Sequence, residues 1–205
     1  MRTDVYAHAP RLPETSPLDP TDLFGGDARR IELEIGPGRG WFIVERLEAA
    51  PDAALIGLEI RRKWATIVDQ RLQRRGLHDR ARVFAEDARQ VLPRFKDACL
   101  DVVYIHFPDP WWKKRHHKRL VVGADVLREI GRVLKPGGEL FVQTDVAERA
   151  QAYEHAVSLE PALAPWGESP RVHENPYDAR SPRERRAVQD GLPIHRLRYR
   201  RANGS

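Results

Sequence analysis

The most constraining stretch of this sequence is Glu34-Ile-Gly36-Pro-Gly38-Arg-Gly40. It follows Ile31-Glu-Leu-Glu-Ile35, which reads as a buried strand, and precedes Gly40 to Ala50, whose apolar residues recur at helical spacing. A strand that passes through a glycine turn into a helix opens a βα unit, and such units place a ligand at the carboxyl ends of parallel strands. The alternation continues. Strands are predicted over Ala54–Ile60, Arg82–Ala85, Leu100–His106, Glu139–Thr144 and Ile194–Arg200, and helices over Arg62–Arg75, Leu120–Leu134 and Val146–Leu159. This pattern predicts an α/β fold of Rossmann-like type, a mostly parallel sheet with helices on both faces. Regularity falls after Pro161, and the 161–190 stretch reads as decoration. Residues 1–27, with four prolines and Gly25-Gly26, read as an extended, mobile N-terminal arm; 28–205 read as one domain.

The glycine spacing is G-x-G-x-G, without the third glycine position of a dinucleotide fingerprint and without a Walker lysine-serine pair. Glu34, two residues before Gly36, suits a ligand with a positive group better than a pyrophosphate. Glu59 ends the second strand, where an acid can accept both hydroxyls of a ribose. Asp87 follows the third strand, where a carboxylate can meet an adenine edge. Together with Gly36 and Gly38 these acids predict a site for an adenosine ligand without phosphates, and S-adenosylmethionine fits. Each acid can equally cap the helix that follows it.

The fourth predicted strand runs into Phe107-Pro108-Asp109-Pro110-Trp111-Trp112-Lys113-Lys114-Arg115-His116-His117-Lys118-Arg119. Two prolines present Asp109 rigidly, and indoles and cations follow, a mixture suited to nucleic acid. Asp145, after the fifth strand, is expected at the same rim. His106 reads as an ordinary strand-end residue, Cys99 as an inert buried one. His116-His117 lack the spaced partners of a metal site, so no metal is expected.

Charge is unevenly distributed. The chain carries +5 overall; Lys113–Arg119 carries +5, and Arg180–Arg201 holds eight arginines against Glu184 and Asp190 for +6, so the rest carries −6. Two basic segments on an acidic body predict a polyanion partner. The lone Cys99 excludes an internal disulfide, and no apolar run is long enough for a membrane span or a signal peptide; a cytoplasmic protein is expected.

The motifs Glu34–Gly40, Gly57-Leu-Glu-Ile60, Glu86-Asp87-Ala88, Phe107–Trp111 with Lys113–Arg119, Leu134-Lys-Pro-Gly-Gly138 and Thr144-Asp145, in this order, resemble the bacterial tRNA (guanine-N7-)-methyltransferase family. The Phe-Pro-Asp-Pro-Trp motif with its basic run is the distinctive part; the others occur widely in class I methyltransferases. The resemblance implies a seven-stranded class I methyltransferase fold, S-adenosylmethionine as cofactor and a variable-loop guanine of tRNA as substrate. A monomer or homodimer is expected. The resemblance also implies that Glu34, Glu59, Asp87 and Asp109 face the cofactor, that Asp109 is the catalytic-site acid, and that Lys113 and Asp145 contact substrate. The family's threonine-lysine-aromatic-glutamate motif corresponds here to Ser181-Pro182-Arg183-Glu184, so Ser181 and Glu184 are expected on the substrate side while the lysine and aromatic are replaced. Two other readings are an adenine N6 amino-methyltransferase, disfavoured because Asp109 separates the two prolines, and an RNA-binding protein of this fold without turnover.

Overall fold

The structure is a computed structural model; it describes residues 6–24, 29–108 and 122–202. The strands are β1 (Arg30–Ile35), β2 (Ala53–Leu58), β3 (Ala81–Phe84), β4 (Leu100–His106), β5 (Leu134–Thr144), β6 (Leu163–Pro165), β7 (Arg171–Val172) and β8 (His195–Arg201). The helices are α1 (Trp41–Ala49), α2 (Arg62–Arg74), α3 (Ala88–Val91), α4 (Ala124–Val133), α5 (Ala147–Ser158) and α6 (Pro182–Gln189). The order across the sheet is β3-β2-β1-β4-β5-β8-β6, with β7 added alongside β8. The first five are parallel; β8 runs antiparallel to β5 and to β6. The sheet thus has eight strands rather than seven, because the two-residue β7 pairs with β8 at Arg171 and Val172.

Parallel strands covered on both faces must be apolar on both faces. Leu55 and Ile56, neighbours on β2 that point to opposite faces, are both fully buried. One face packs Leu33, Val103, Ile105 and Leu140 against Leu127 and Ile130 of α4 and Val157 of α5. The other packs Phe42, Ile43 and Leu47 of α1 and Val68 and Leu72 of α2 against Leu55, Tyr104 and Phe141.

On this second face three buried glutamates are tied into the fold. Glu32 accepts from Arg46 Nε (2.9 Å) and Nη2 (2.8 Å) and from the Tyr104 hydroxyl (2.8 Å). Glu139 accepts from the Tyr177 hydroxyl at 2.6 Å and Arg198 Nε at 2.8 Å. Glu184 accepts from Arg196 Nη2 and Asn175 Nδ2, both at 2.9 Å. A buried carboxylate is tolerated only when so many donors meet it.

The described residues of the arm, 6–24, pack against the body: Leu12, Leu18 and Phe24 are buried in the core. The Ala85 N–H donates to Pro10 O at 2.7 Å, and Leu18 pairs with Phe95. The 161–190 stretch contains α6, β6 and β7. Ser181 caps α6 by accepting from the Glu184 N–H, and Pro182 stands at the first helical position.

Candidate active site

The carboxyl ends of the parallel strands form one crevice. In sheet order they present Asp87, Glu59, Glu34, His106 and then Gln143-Thr144-Asp145. The crevice has two lobes. The first, about 440 Å³, is lined by Gly36, Gly38, Glu59, Asp87, Trp64 and Val126, among others. The second, about 490 Å³, is lined by Glu34, Thr144, Asp145, Arg149, Ser181 and Arg183, among others. Gly36, Gly38, Arg39, His106, Phe107 and Pro108 border both lobes. Each lobe has the size of a small-ligand site.

The glycine turn separates into two jobs. Gly36 (φ +72°) and Gly38 (φ +54°) adopt left-handed backbone, and nothing lies within 4 Å of where a side chain would project. Their surfaces are open to a ligand. Gly40, also left-handed, is instead pressed against Val68 of α2. Glu59 braces the turn: its Oε2 accepts from the Gly38 N–H at 3.1 Å, and its Oε1 from the Arg61 N–H at 2.9 Å. Asp87 caps α3 by accepting from the Arg89 N–H at 3.0 Å and is ion-paired with the Arg89 side chain. The Arg89 hydrogen bond holds the Asp87 carboxyl below its ordinary range, so it is ionised at neutral pH. Capping and lining the crevice therefore coexist at Asp87.

Glu34 is buried in the second lobe's wall, and its Oε1 lies 2.8 Å from His106 Nδ1. One hydrogen bond thus ties the end of β1 to the end of β4. Glu34 Oε2, His106 Nε2 and both amide atoms of Gln143 are buried without a hydrogen-bond partner among the described residues. His106 thus faces the crevice instead of ending a strand passively. The signal for it is the two-residue period on β4, which sets His106 on the same face as Tyr104, whose register partner is Glu34. Phe107, next in sequence, is left-handed at φ +46°, an uncommon conformation for a bulky side chain that turns the chain out of β4 into the crevice mouth.

Asp145 lies at the rim as expected and is ion-paired with Arg183. Ser181 lines the second lobe, but Glu184 is fully buried beneath α6 and lines neither lobe. Asp109 and Lys113 lie outside the described residues, as does the rest of the 109–121 loop. Among the described residues no group of three or more His, Cys, Asp or Glu is placed to hold a metal. No helix among them is long and apolar enough to cross a membrane.

The residues present fit an adenosine ligand with a cationic tail. Bare backbone at Gly36 and Gly38 admits close approach, Glu59 and Asp87 stand in the first lobe, and Glu34, with its orphaned Oε2, stands in the wall of the second. This crevice on this sheet defines a class I methyltransferase fold. Residues 28–197 match the family described as "Putative methyltransferase". Similar folds include geranyl diphosphate C-methyltransferase from Streptomyces coelicolor A3(2), solved with S-adenosyl-L-homocysteine (TM-score 0.58, 14% identity, 89% of this chain and 73% of that one). They also include the cyclase SpnF (TM-score 0.60, 16% identity, 90% and 79%), so the fold alone does not set the reaction.

Sequence relatives are more specific. A tRNA (guanine-N(7)-)-methyltransferase of Rhodopirellula baltica is 35% identical over 201 residues, covering 93% of this chain and 73% of the relative. One of Anaeromyxobacter dehalogenans is 39% identical over 182 residues, covering 87% and 89%. The chain belongs to the tRNA (guanine-N(7)-)-methyltransferase family.

Proposed function

We propose that this protein transfers a methyl group from S-adenosylmethionine to N7 of a guanine in tRNA, with the variable-loop guanine as target and the cytoplasm as its compartment. The observation that carries this reading is the two-lobed crevice. A nucleoside-sized lobe with acids at Glu59 and Asp87 joins a second lobe with acids at Glu34 and Asp145 across the bare Gly36–Gly38 backbone.

S-adenosylmethionine, when bound, supplies an electrophilic methyl group. Guanine N7 already carries a lone pair, so no side chain must remove a proton first. The work of the chain is alignment: Gly36, Gly38 and Glu59 fix one partner, and the Thr144-Asp145 rim and Ser181 fix the other. The methylated base is cationic, so Asp145 and Asp109 stabilise charge that develops on the purine. In this reading Asp109 positions and stabilises and is not a general base. Arg183, standing where the family carries an aromatic residue, holds Asp145 and must release it for the base. Lys113 and Ser181 serve the RNA side, and Glu184 anchors α6 beneath them.

Labelled-methyl transfer onto unmodified tRNA, with the product nucleoside identified, tests the reading. 7-Methylguanosine is expected from the wild-type protein, with turnover lost in Asp109→Ala. N6-methyladenosine, or tRNA binding without transfer, would refute it.

A further inference from the structure

The segment Arg61–Arg75 contains Arg61, Arg62, Lys63, Arg71, Arg74 and Arg75 against a single acid, Asp69, a net +5 inside the body that is acidic on average. Asp69 does not neutralise the outer surface of α2. It is 8% exposed, its Oδ1 accepts from the Val83 N–H at 3.1 Å, and its Oδ2 lies 3.3 Å from His78 Nε2. Lys63, Arg74 and Arg75 are exposed and Arg71 is half-buried. None of the four is ion-paired with a carboxylate among the described residues.

These cations are organised by two indoles. The Arg71 and Arg75 guanidinium carbons lie 4.7 and 5.4 Å from the centroid of the Trp41 ring. Arg39 and Lys63 lie 5.3 and 5.7 Å from the Trp64 ring. Arg71 also donates to the Arg39 carbonyl, which links the two stacks. Burial, and then the positive charges of Arg75, Arg74 and Arg39, pull the Arg71 guanidinium below its usual range. Like charges held this close repel, and a bound anion would relieve them. A stacked guanidinium keeps its in-plane N–H edge for a phosphate, because stacking uses only its face. Arg39 and Trp64 also line the first lobe of the crevice, so the surface is continuous with the site.

The C-terminal arginines offer less. Of the eight between Arg180 and Arg201, Arg183, Arg185, Arg186, Arg196 and Arg198 are ion-paired with Asp145, Glu45, Asp190, Glu184 and Glu139, and Arg201 donates to the Arg132 and Leu134 carbonyls. We propose that the outer face of α2, with the Arg39–Trp41 turn, is an RNA-contact surface that takes the phosphodiester backbone of the tRNA beside the nucleotide held in the crevice. This rests on the tRNA reading above and extends it. The helix is 13 residues long. At about 1.5 Å per residue it presents cations over roughly 20 Å, enough for more than one phosphate. A membrane surface would turn its indoles outward; Trp41 and Trp64 are half-buried beneath cations.

The test compares the wild-type protein with Arg71→Gln/Arg74→Gln/Arg75→Gln and with the single variant Arg74→Glu. Arg74 is exposed and makes no side-chain hydrogen bond or ion pair among the described residues, so that variant leaves the fold intact. Binding of unmodified tRNA is followed by fluorescence anisotropy across a salt series. With three cations fewer against the phosphates, the log–log salt slope falls by about 2 to 3 in the triple variant, and Arg74→Glu lowers it by about 1. S-adenosylmethionine affinity by calorimetry is unchanged in Arg74→Glu. An unaltered slope in Arg74→Glu, or in a triple variant that melts like wild type, overturns the proposal. So does loss of binding to anionic phospholipid vesicles with the tRNA slope retained. Failure of the wild-type protein to methylate tRNA would sink the functional reading instead, and it is read in a separate assay.

Discussion

Gly38 and Gly40 share one turn and one backbone conformation, yet substitution should affect them differently. Alanine at either position must hold left-handed backbone, which costs about 1–2 kcal/mol. At Gly38 that is the whole cost to stability, since nothing lies within 4 Å of the new methyl group. At Gly40 the methyl group would overlap Val68 Cγ1 and stand 3.0 Å from Cγ2. Val68 is fully buried in a packed core, so it has little room to give. Overpacking there adds about 1–3 kcal/mol, for a total of about 2–5 kcal/mol. Urea unfolding of Gly38→Ala, Gly40→Ala, Val68→Ala and the Gly40→Ala/Val68→Ala double variant measures these terms. The double variant should be more stable than the sum of the single losses predicts, by about 1–3 kcal/mol, because Val68→Ala removes the clashing methyl groups. Calorimetry should show the reverse ranking, with S-adenosylmethionine binding weakened more by Gly38→Ala. Equal stability losses at the two glycines, or additivity in the double variant, would refute this division of the turn.

Glu59→Ala should weaken S-adenosylmethionine binding by about 1–3 kcal/mol, since it removes a polar partner and leaves the Gly38 and Arg61 amides without their acceptor. Glu59→Gln, which keeps an accepting oxygen, should be milder; equal calorimetric affinities for all three proteins would reject the assignment. His106→Phe keeps a ring beside Phe42 but leaves Glu34 Oε1 unpaired in the interior, a stability loss of about 1–3 kcal/mol by thermal or urea unfolding, which His106→Asn should partly restore with its side-chain donor. Burial pushes the Cys99 thiol up to about 12, so the thiolate that reacts is scarce in the native protein from neutral pH to well above it. Thiol reagents should label Cys99 only on unfolding, and rapid labelling of the native protein at neutral pH would contradict its burial.

The parallel half of the fold is legible in the sequence because its physics is local. Strands buried on both faces spell continuous apolar runs, as at Ala54-Leu55-Ile56, and the acids at their ends stand where a period of two delivers them to the crevice. Of the antiparallel half only β8 is, predicted over Ile194–Arg200 and found at His195–Arg201. The two-residue β7 and three-residue β6 are too short to show a period, and their pairing is set by β8. The α6 helix buries little besides Glu184 and Ala187, so it lacks an apolar stripe; its visible signal is the cap, Ser181-Pro182-x-Glu184, whose residues read equally as a substrate motif. His106 is hidden for another reason. Its role depends on meeting Glu34, 72 positions away, and only the register between β1 and β4 creates that contact.

Charge is the least legible property, and the reason lies in how arginine is used. The chain has 29 arginines and six lysines. A planar guanidinium with five donors can brace several backbone carbonyls at once, which a lysine ammonium does with less definition. Arg80 does so at Leu47, Ala50, Pro51 and Ala53, and Arg132 joins the Leu92 and Phe95 carbonyls to Glu129 and Asp97. Arg46 grips Glu32 with two donors while its face lies 5.4 Å from the Tyr177 ring centroid. Arginines used as struts add to a sequence sum but attract no polyanion, so the +6 of the C-terminal segment overstates its reach. The converse holds on α2, where the only acid turns inward and the arginines that stack on Trp41 have no carboxylate partners among the described residues. Half of the lysines fall at 113, 114 and 118, beside the motif that distinguishes the family, and a compact point charge suits a phosphate. The charge that matters for RNA is therefore the charge left unpaired by folding, and on α2 it stands beside Trp64, which lines the crevice.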